Sequence, residues 1–488
     1  MERGIPLYHG YATIMGLFLT LLMPTLLLQS YGGIVNLNLL LIWSIIFYSG
    51  TRIAFLVSKG EKRIIDLTFY IFVFVWLGYI PFLQQVTNSY PLAQLPMAYS
   101  ESEIRFGLYI VILGLLSFEA GKFAARVRVG RDPLPTKAGG SVEISLNQFY
   151  AATILSIAIS AIIILSLGGP SVLFSARQEL NGAFGDKTKF LILNTLMRVP
   201  VFVTFIYGII CWKMAQKKTV FFGATLVVLA VVNFTVNNFI SSPRYWFGSI
   251  LLTTLFILLR WKRGSFATWS ITILMLLLLV FPSSDMFRHT TDVNFSGVVQ
   301  NFAREHERLA VDGDFDAFQM IMNTVRNVEN KGFSNGEQLL VAILFFIPRS
   351  IWSDKPFGTG QTVASNLGYD FTNLSCPLWA EIYHDFGLPG IGILFFVYGY
   401  FVYVIQMKFI QGNVPYLSIF VPFYAWYQIF LLRGELLSGS AYLMAFFGIS
   451  YSIYWVTRRK KKRSNMKAVI VKVPKDNVME YKPKLSRS

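Results

Sequence analysis

The sequence predicts an all-α protein, a polytopic transmembrane helix bundle of about twelve spans. Three observations lead there. The 488 residues are 54% hydrophobic and only 14% charged, whereas soluble domains carry roughly 25% charged residues. The apolar residues fall in continuous runs near the roughly 20 residues that cross about 30 Å of hydrocarbon. These runs are unbroken rather than alternating. That favours helices over a barrel, because a helix satisfies its backbone polar groups within one segment. Finally, the basic residues cluster between alternate runs, as the positive-inside rule requires.

In chain order the candidate spans are Tyr11–Gln29, Val35–Val57, Ile64–Val86, Ile104–Ala125, Leu146–Leu167, Phe190–Trp212, Val220–Ile240, Pro243–Leu259, Phe266–Phe287, Glu381–Gln406, Pro415–Leu432 and Leu436–Val456. Basic clusters follow the even-numbered spans: Lys59/Lys62/Arg63, then Arg126/Arg128/Arg131/Lys137, Lys213/Lys217/Lys218 and Arg260/Lys262/Arg263. Lys408 and the tail Arg458 to Arg463 continue the pattern. All fall on one side, so both termini are expected in the cytoplasm. No small-residue cleavage site follows the first apolar run, which is therefore read as a span rather than a signal peptide.

The organisation is then spans one to nine in 1–287, a large external loop in 288–380, spans ten to twelve in 381–457, and a basic cytoplasmic tail in 458–488. Gln338–Trp352 is apolar but short, and Pro348 interrupts it. Runs of that length lie in the interface or re-enter, so a re-entrant or surface helix is expected there. Asp314–Val328 places Phe315, Phe318, Met322 and Val325 at helical spacing, which predicts a helix packed on the membrane or the bundle. The tail beyond Arg463 is polar, and its basic run suits a lipid surface.

A formal charge of +17 would suit nucleic acid, but its confinement to short clusters beside apolar runs argues against that partner. Cys211 and Cys376 are expected on opposite sides of the bilayer and so not to pair. The four His are scattered, with no zinc pattern. Asp312-Gly313-Asp314-Phe315-Asp316 opens like a calcium loop, but Ala317 stands where glycine is needed and Asn323 where the bidentate Glu is needed. It reads as a surface acidic turn. No Walker A motif is present, so neither metal nor cofactor is expected.

Basic residues on the outer side oppose the orientation rule. Arg198 lies midway through the sixth span, where a charge costs on the order of 3 kcal/mol. It either faces a polar cavity or forms a structural ion pair within the bundle. Arg244 follows Ser241-Ser242-Pro243 in an outer turn and has a snorkelling alternative. Arg349 follows a proline, and Arg433 sits in Leu432-Arg433-Gly434-Glu435, where Glu435 could pair with it. Together with Arg177, Arg288 and Lys355 these residues suggest a cationic outer cavity suited to a phosphate-bearing ligand, because arginine binds phosphate through a planar fork. Glu381, His384 and Asp385 open the tenth span one turn apart. They suit acid–base chemistry, or else simply acids placed at a helix N-terminus.

Several of these segments resemble one family. Phe346-Ile347-Pro348-Arg349-Ser350-Ile351-Trp352-Ser353-Asp354-Lys355-Pro356, followed by Gly358 and Gly360, is similar to the external-loop motif of the oligosaccharide repeat unit polymerases, the Wzy-type polymerases of O-antigen and capsule. Glu381-Ile382-Tyr383 with Phe386-Gly387-Leu388-Pro389-Gly390, Gly168-Gly169 with Ala176-Arg177, Ser242-Pro243-Arg244 and Leu432–Glu435 resemble further positions of that family. The resemblance implies a glycosyltransferase of the bacterial cytoplasmic (inner) membrane. It would join undecaprenyl-pyrophosphate-linked oligosaccharides at the outer face, with a flippase and a chain-length regulator as partners. It also implies that Arg177, Arg244, Arg349 and Lys355, with Arg198, Arg288 and Arg433, line the pyrophosphate and glycan site, and that Glu381 or His384 takes the hydroxyl proton. An O-antigen ligase shares this topology. A lipid-linked oligosaccharide flippase is the alternative of another class, though the conspicuous charges concentrate on the outer side and no repeated halves are evident.

Overall fold

The structure is a computed structural model of the chain, and it describes residues 7–31, 34–60, 62–91, 99–129, 145–174, 187–215, 218–259, 269, 273, 309–412 and 414–458. Among the described residues it is helical, with no β-strand. Eight helices are long and apolar enough to cross a membrane. They are α1 (His9–Tyr31), α2 (Leu37–Lys59), α3 (Ile64–Thr87), α4 (Glu101–Val129), α5 (Leu146–Ser166), α6 (Lys187–Met214), α12 (Leu378–Gln411) and α14 (Leu436–Thr457). Shorter apolar helices are α7 (Val220–Val236), α8 (Arg244–Leu258) and α13 (Leu417–Arg433). Between them lie α9 (Ala317–Lys331), α10 (Glu337–Ile343) and α11 (Thr359–Leu367). These positions coincide with the hydropathy-derived segments, except that the ninth, Phe266–Phe287, lies outside the described residues apart from 269 and 273.

The chain divides into two compact units. The first comprises Met1–Val129, Lys262–Val404 and Ala425–Ala441; the second comprises Gly130–Trp261, Ile405–Tyr424 and Tyr442–Ser488.

At the centre of the first unit is α3, whose residues from Ile64 to Leu83 are all buried. Its composition explains this, since an all-round apolar helix has no polar face to turn outward. Phe69 stacks on Phe118 of α4 with ring centroids 3.8 Å apart, and Phe72 stacks with Trp379 of α12 at 6.1 Å. Glycines bring α4 and α12 together. A Cβ at Gly114 would strike the Trp379 indole, and one at Gly121 would strike the Phe396 carbonyl. Such small-residue contacts let backbones approach where lipid gives no hydrophobic drive between helices.

The expected helix at Asp314–Val328 is α9 from Ala317 on, with Phe315 in a short 3-10 turn, Gly313–Phe315, before it. Phe315, Phe318, Met322 and Val325 are all buried. Gly107 of α4 makes room for it, with Met322 and Phe318 at 3.3 and 3.4 Å from where a Cβ would stand.

Two expectations change in detail. The apolar stretch Gln338–Trp352 is helical only as far as Ile343 and then runs in turns. Pro348 accounts for the change: it lacks an N–H and disfavours helical geometry in the residue before it. The tenth span is not continuous either. Gly387 interrupts α12 with φ 63° and ψ −155°, and Pro389 follows it. The segment carrying Glu381, His384 and Asp385 is thus a short helix set off from the long apolar one.

Candidate functional site

The Pro-Arg…Lys-Pro loop is stabilised from within. Where α10 stops, the carbonyls of Phe345 and Ile347 lose their helical partners. The buried ammonium of Lys355 replaces them, donating to both oxygens at 2.8 Å. Lys355 was expected to bind a ligand phosphate. It is instead committed to the loop backbone, because the proline-broken helix leaves acceptors that only a donor-rich side chain can fill. Arg349 is placed differently. Its guanidinium lies over the Phe357 ring, 4.2 Å from the centroid, and Nη2 donates to Pro356 O at 3.1 Å. The side chain is half-buried, and a guanidinium carries five N–H donors.

Glu381 is 2% exposed. The Thr359 hydroxyl donates to its Oε2 at 2.6 Å, and the Leu436 amide donates to its Oε1 at 2.9 Å. Thr359 opens α11 and Leu436 opens α14, so one carboxylate ties together the starts of two helices. The first amides of a helix have no intrahelical acceptor, and an anion there is favoured by the dipole. Next to Leu436 stands Glu435, half-buried. Its carboxylate lies against Gly358, where any Cβ would fall inside it. Gly358 and Thr359 thus meet two carboxylates, with Phe357 and the Arg349 guanidinium one residue before them.

His384 is held at both ring nitrogens. Asn366 donates to Asn327 Oδ1 at 2.8 Å, which turns the Asn327 amide nitrogen towards His384 Nε2 at 3.1 Å. His384 Nδ1 lies 2.8 Å from Ser334 Oγ, and that hydroxyl donates to Asp385 Oδ1. Asp385 in turn accepts the Gln338 and Leu339 amides at 3.2 and 2.9 Å, which caps α10. His384 and Asp385 therefore fasten the Ser334–Leu339 turn onto α12. Their position one turn from Glu381 serves this anchoring.

Arg433 does not pair with Glu435. Its Nη2 donates to Gly313 O at 2.8 Å and lies 3.4 Å from Asp316 Oδ1 and 3.5 Å from Asp314 Oδ1. The acidic turn is therefore not merely a surface feature: Asp316 is 2% exposed. Burial pushes its carboxyl up from the ordinary value, while Arg433 and the Ser375 hydroxyl, 2.6 Å away, pull it down. Arg433 Nε is buried and has no hydrogen-bond partner.

Arg198 and Arg244 belong to the second unit. Arg198 is fully buried, and its three nitrogens make five hydrogen bonds. Nε donates to Asn194 Oδ1 at 2.8 Å, Nη1 to Val236 O at 2.5 Å and to Ser242 Oγ, and Nη2 to Ser241 O and Oγ at 3.3 and 3.1 Å. The expected cavity-facing role does not hold for Arg198, because protein oxygens use all its donors. It fixes the α7–α8 turn. Arg244 is the first residue of α8. Arg177 and Arg288 lie outside the described residues.

One cluster went unnoticed in the sequence. Lys122 Nζ lies 3.0 Å from Asp66 Oδ1, 3.3 Å from Glu119 Oε1 and 2.7 Å from the Tyr70 hydroxyl, and Arg52 lies 3.4 Å from Glu119. The signal was present, since Arg52, Asp66, Glu119 and Lys122 are charges inside apolar segments, where such groups pair with one another. Among the described residues no group of three or more His, Cys, Asp or Glu could hold a metal ion, and both cysteines are free.

No family model, no curated protein and no solved structure matches this chain.

Proposed function

We propose that this protein is a polymerase of lipid-linked oligosaccharide repeat units. On this reading it resides in the bacterial cytoplasmic membrane with about twelve spans and both termini inside, and works at the outer face. Its donor is a growing chain on undecaprenyl pyrophosphate, and its acceptor is a hydroxyl of the next lipid-linked unit. The membrane part rests on the eight long apolar helices and on the distribution of basic residues. The reaction rests on the resemblance of the external loop.

One observation carries the assignment furthest. The Arg349 guanidinium is seated on Phe357, and the Glu381 carboxylate is bonded to Thr359. Two residues of chain span at most about 7 Å, so a cation and carboxylates are gathered on one short stretch. The reaction needs that combination. As the anomeric carbon–oxygen bond breaks, the electron pair passes to the leaving pyrophosphate, and a preorganised guanidinium lowers the cost of that charge. The acceptor hydroxyl loses a proton as it attacks, and a carboxylate can take it. The remaining donors of Arg349 suit the leaving group.

The test is a deletion strain restored with wild type or with Arg349→Ala. Single repeat units in the deletion, a ladder with wild type and none with normally expressed Arg349→Ala support the reading. Long lipid-linked chains made without this protein, but left unattached to their final acceptor, would indicate a ligase. Units trapped on the cytoplasmic side would indicate a flippase.

A further inference from the structure

We infer that Phe357 is a positioning residue, whose ring holds the Arg349 guanidinium for the leaving pyrophosphate without neutralising it. This rests on the polymerase reading given above and names the group on which its cation depends.

Three arginines of the first unit are held by carboxylates. Arg52 lies 3.4 Å from Glu119, Arg433 lies 3.4 Å from Asp316, and Arg326 meets Glu103. Each of these guanidiniums has its charge balanced by a neighbour. Arg349 is held by a ring and a carbonyl instead. Its Cζ stands 4.2 Å from the Phe357 centroid, and Nη2 donates to Pro356 O at 3.1 Å. Among the described residues it forms no ion pair. The face of a phenyl ring is negative only through its quadrupole, so it orients a cation and leaves the net positive charge to act on an anion. A carboxylate in its place would compete with phosphate oxygens for the same forked donors.

The support is itself fixed. Ile351 and Trp352 donate their amides to Pro348 O at 3.0 Å, and the Lys355 amide donates to Trp352 O at 3.2 Å. These turns fold the loop back so that Arg349 meets Phe357. Beyond the ring, the chain is tied to the start of α11. The Thr362 amide donates to Gly358 O at 2.9 Å, and the Thr362 hydroxyl donates to the same oxygen at 3.1 Å. A phenylalanine side chain turns about only two bonds, each with few favoured settings, so an anchored backbone largely sets the ring. The next residue, Thr359, donates to Glu381. The guanidinium and the Glu381 carboxylate are therefore placed from one short segment.

In the step so described, the bond from the anomeric carbon to the pyrophosphate oxygen breaks, and its electron pair stays on that oxygen. The acceptor oxygen bonds to the anomeric carbon, and its proton passes to a carboxylate. Phe357 takes no part in these bond changes. It keeps the guanidinium in place before charge develops, so that no reorganisation is needed as the bond breaks. Loss of the ring therefore falls on kcat more than on KM.

The experiment uses membranes of the deletion strain carrying full-length variants at matched membrane levels, supplied with lipid-pyrophosphate-linked oligosaccharide units as both donor and acceptor. Elongation is followed by gel. Phe357→Leu is expected to lower kcat about two- to thirtyfold, the range of one cation–π contact, with KM little changed. Phe357→Tyr, which keeps the ring, is expected to stay close to wild type. Phenylalanines carrying successive ring fluorines, placed at 357, keep the shape but weaken the negative face, so kcat is expected to fall stepwise. A merely structural role would not give that response. Phe357→Glu is expected to elongate more slowly than Phe357→Gln, because its carboxylate balances the guanidinium. A wild-type kcat with the fully fluorinated ring would overturn the assignment while leaving the polymerase reading intact, and so would Phe357→Glu elongating as fast as Phe357→Gln. If Phe357→Leu does not accumulate, the fluorinated series decides alone. If wild-type membranes elongate nothing, the polymerase reading itself falls.

Discussion

Arg433 Nη2 lies 3.4 Å from Asp316 Oδ1, across 117 positions of sequence. The contact joins the turn between α13 and α14 to the acidic turn before α9. Removing one partner of such a pair leaves the other charge buried. That costs about 3 kcal/mol or more when both are enclosed. With the Arg433 side chain 21% exposed and that of Asp316 3%, Arg433→Ala should destabilise the first unit by about 2 kcal/mol. A drop in melting temperature of the detergent-solubilised protein checks this. An unchanged value would mean that the Ser375 hydroxyl holds Asp316 without the guanidinium.

The same carboxyl makes stability depend on pH. Burial raises the Asp316 value in the fold, so the folded chain keeps a proton that the unfolded chain has released. That excess begins near the ordinary value of about 3.9 and ends at the raised value. Stability is fully present below this window and declines as pH rises through it. Asp316→Asn should remove the decline. Arg433→Ala should extend it upward, because the guanidinium pulls the Asp316 value down. Melting curves at a series of pH values would detect both, and identical pH slopes in wild type and Asp316→Asn would refute the account.

Arg349 and Lys355, six positions apart in one motif, should respond differently to substitution. Lys355 holds the Phe345 and Ile347 carbonyls, so Lys355→Met leaves two acceptors unmet. It should lower the amount of folded protein and expose the 344–355 segment to protease. Arg349→Lys keeps the charge but loses the planar stack on Phe357 and the forked donors. It should fold normally and elongate about ten to a hundredfold more slowly, the equivalent of one charge-assisted hydrogen bond of about 1.5–3 kcal/mol. Normal elongation by a well-folded Lys355→Met would show that the ammonium holds nothing the loop needs.

His384 should matter for stability before chemistry. It bridges Asn327 to Ser334, and Ser334 leads to the Asp385 cap of α10. His384→Ala strands the buried Asn327 amide, at a cost of about 1–3 kcal/mol. The expected outcome is a lower melting temperature with elongation retained at permissive temperature. Complete loss of elongation in a His384→Ala protein that melts like wild type would return the imidazole to the list of proton acceptors.

These contrasts show what the sequence made legible. Helix positions were, because hydropathy is a local property and each apolar run states its own length. The helix α9 was too, since Phe318, Met322 and Val325 fall at helical spacing, although the structure buries every residue from Ala317 to Val325 rather than one face. The fates of individual cations were not. That Arg198 would spend its donors on Ser241, Ser242 and Val236 depends on how α6 meets the α7–α8 turn. That Arg433 would find Asp316 depends on a contact 117 positions away. Glu435 was visible as a neighbour of Arg433, but nothing local indicated that its carboxylate would rest on Gly358.

Gly387 offers the sharpest test of the broken tenth helix. Its φ of 63° with ψ −155° is a backbone region essentially restricted to glycine, where a Cβ costs on the order of 1–3 kcal/mol. A Cβ would also stand 3.1 Å from the Phe333 ring. Gly387→Ala therefore faces both backbone strain and crowding, and relief comes most easily if the break straightens into continuous helix. Straightening would rotate Glu381 away from Thr359 and Leu436, and His384 and Asp385 away from Ser334. The variant should melt lower and lose elongation together, which separates it from His384→Ala. If Gly387→Ala proves as stable and active as wild type, the short helix carrying Glu381 does not depend on the break, and its carboxylate must be held by Thr359 and Leu436 alone.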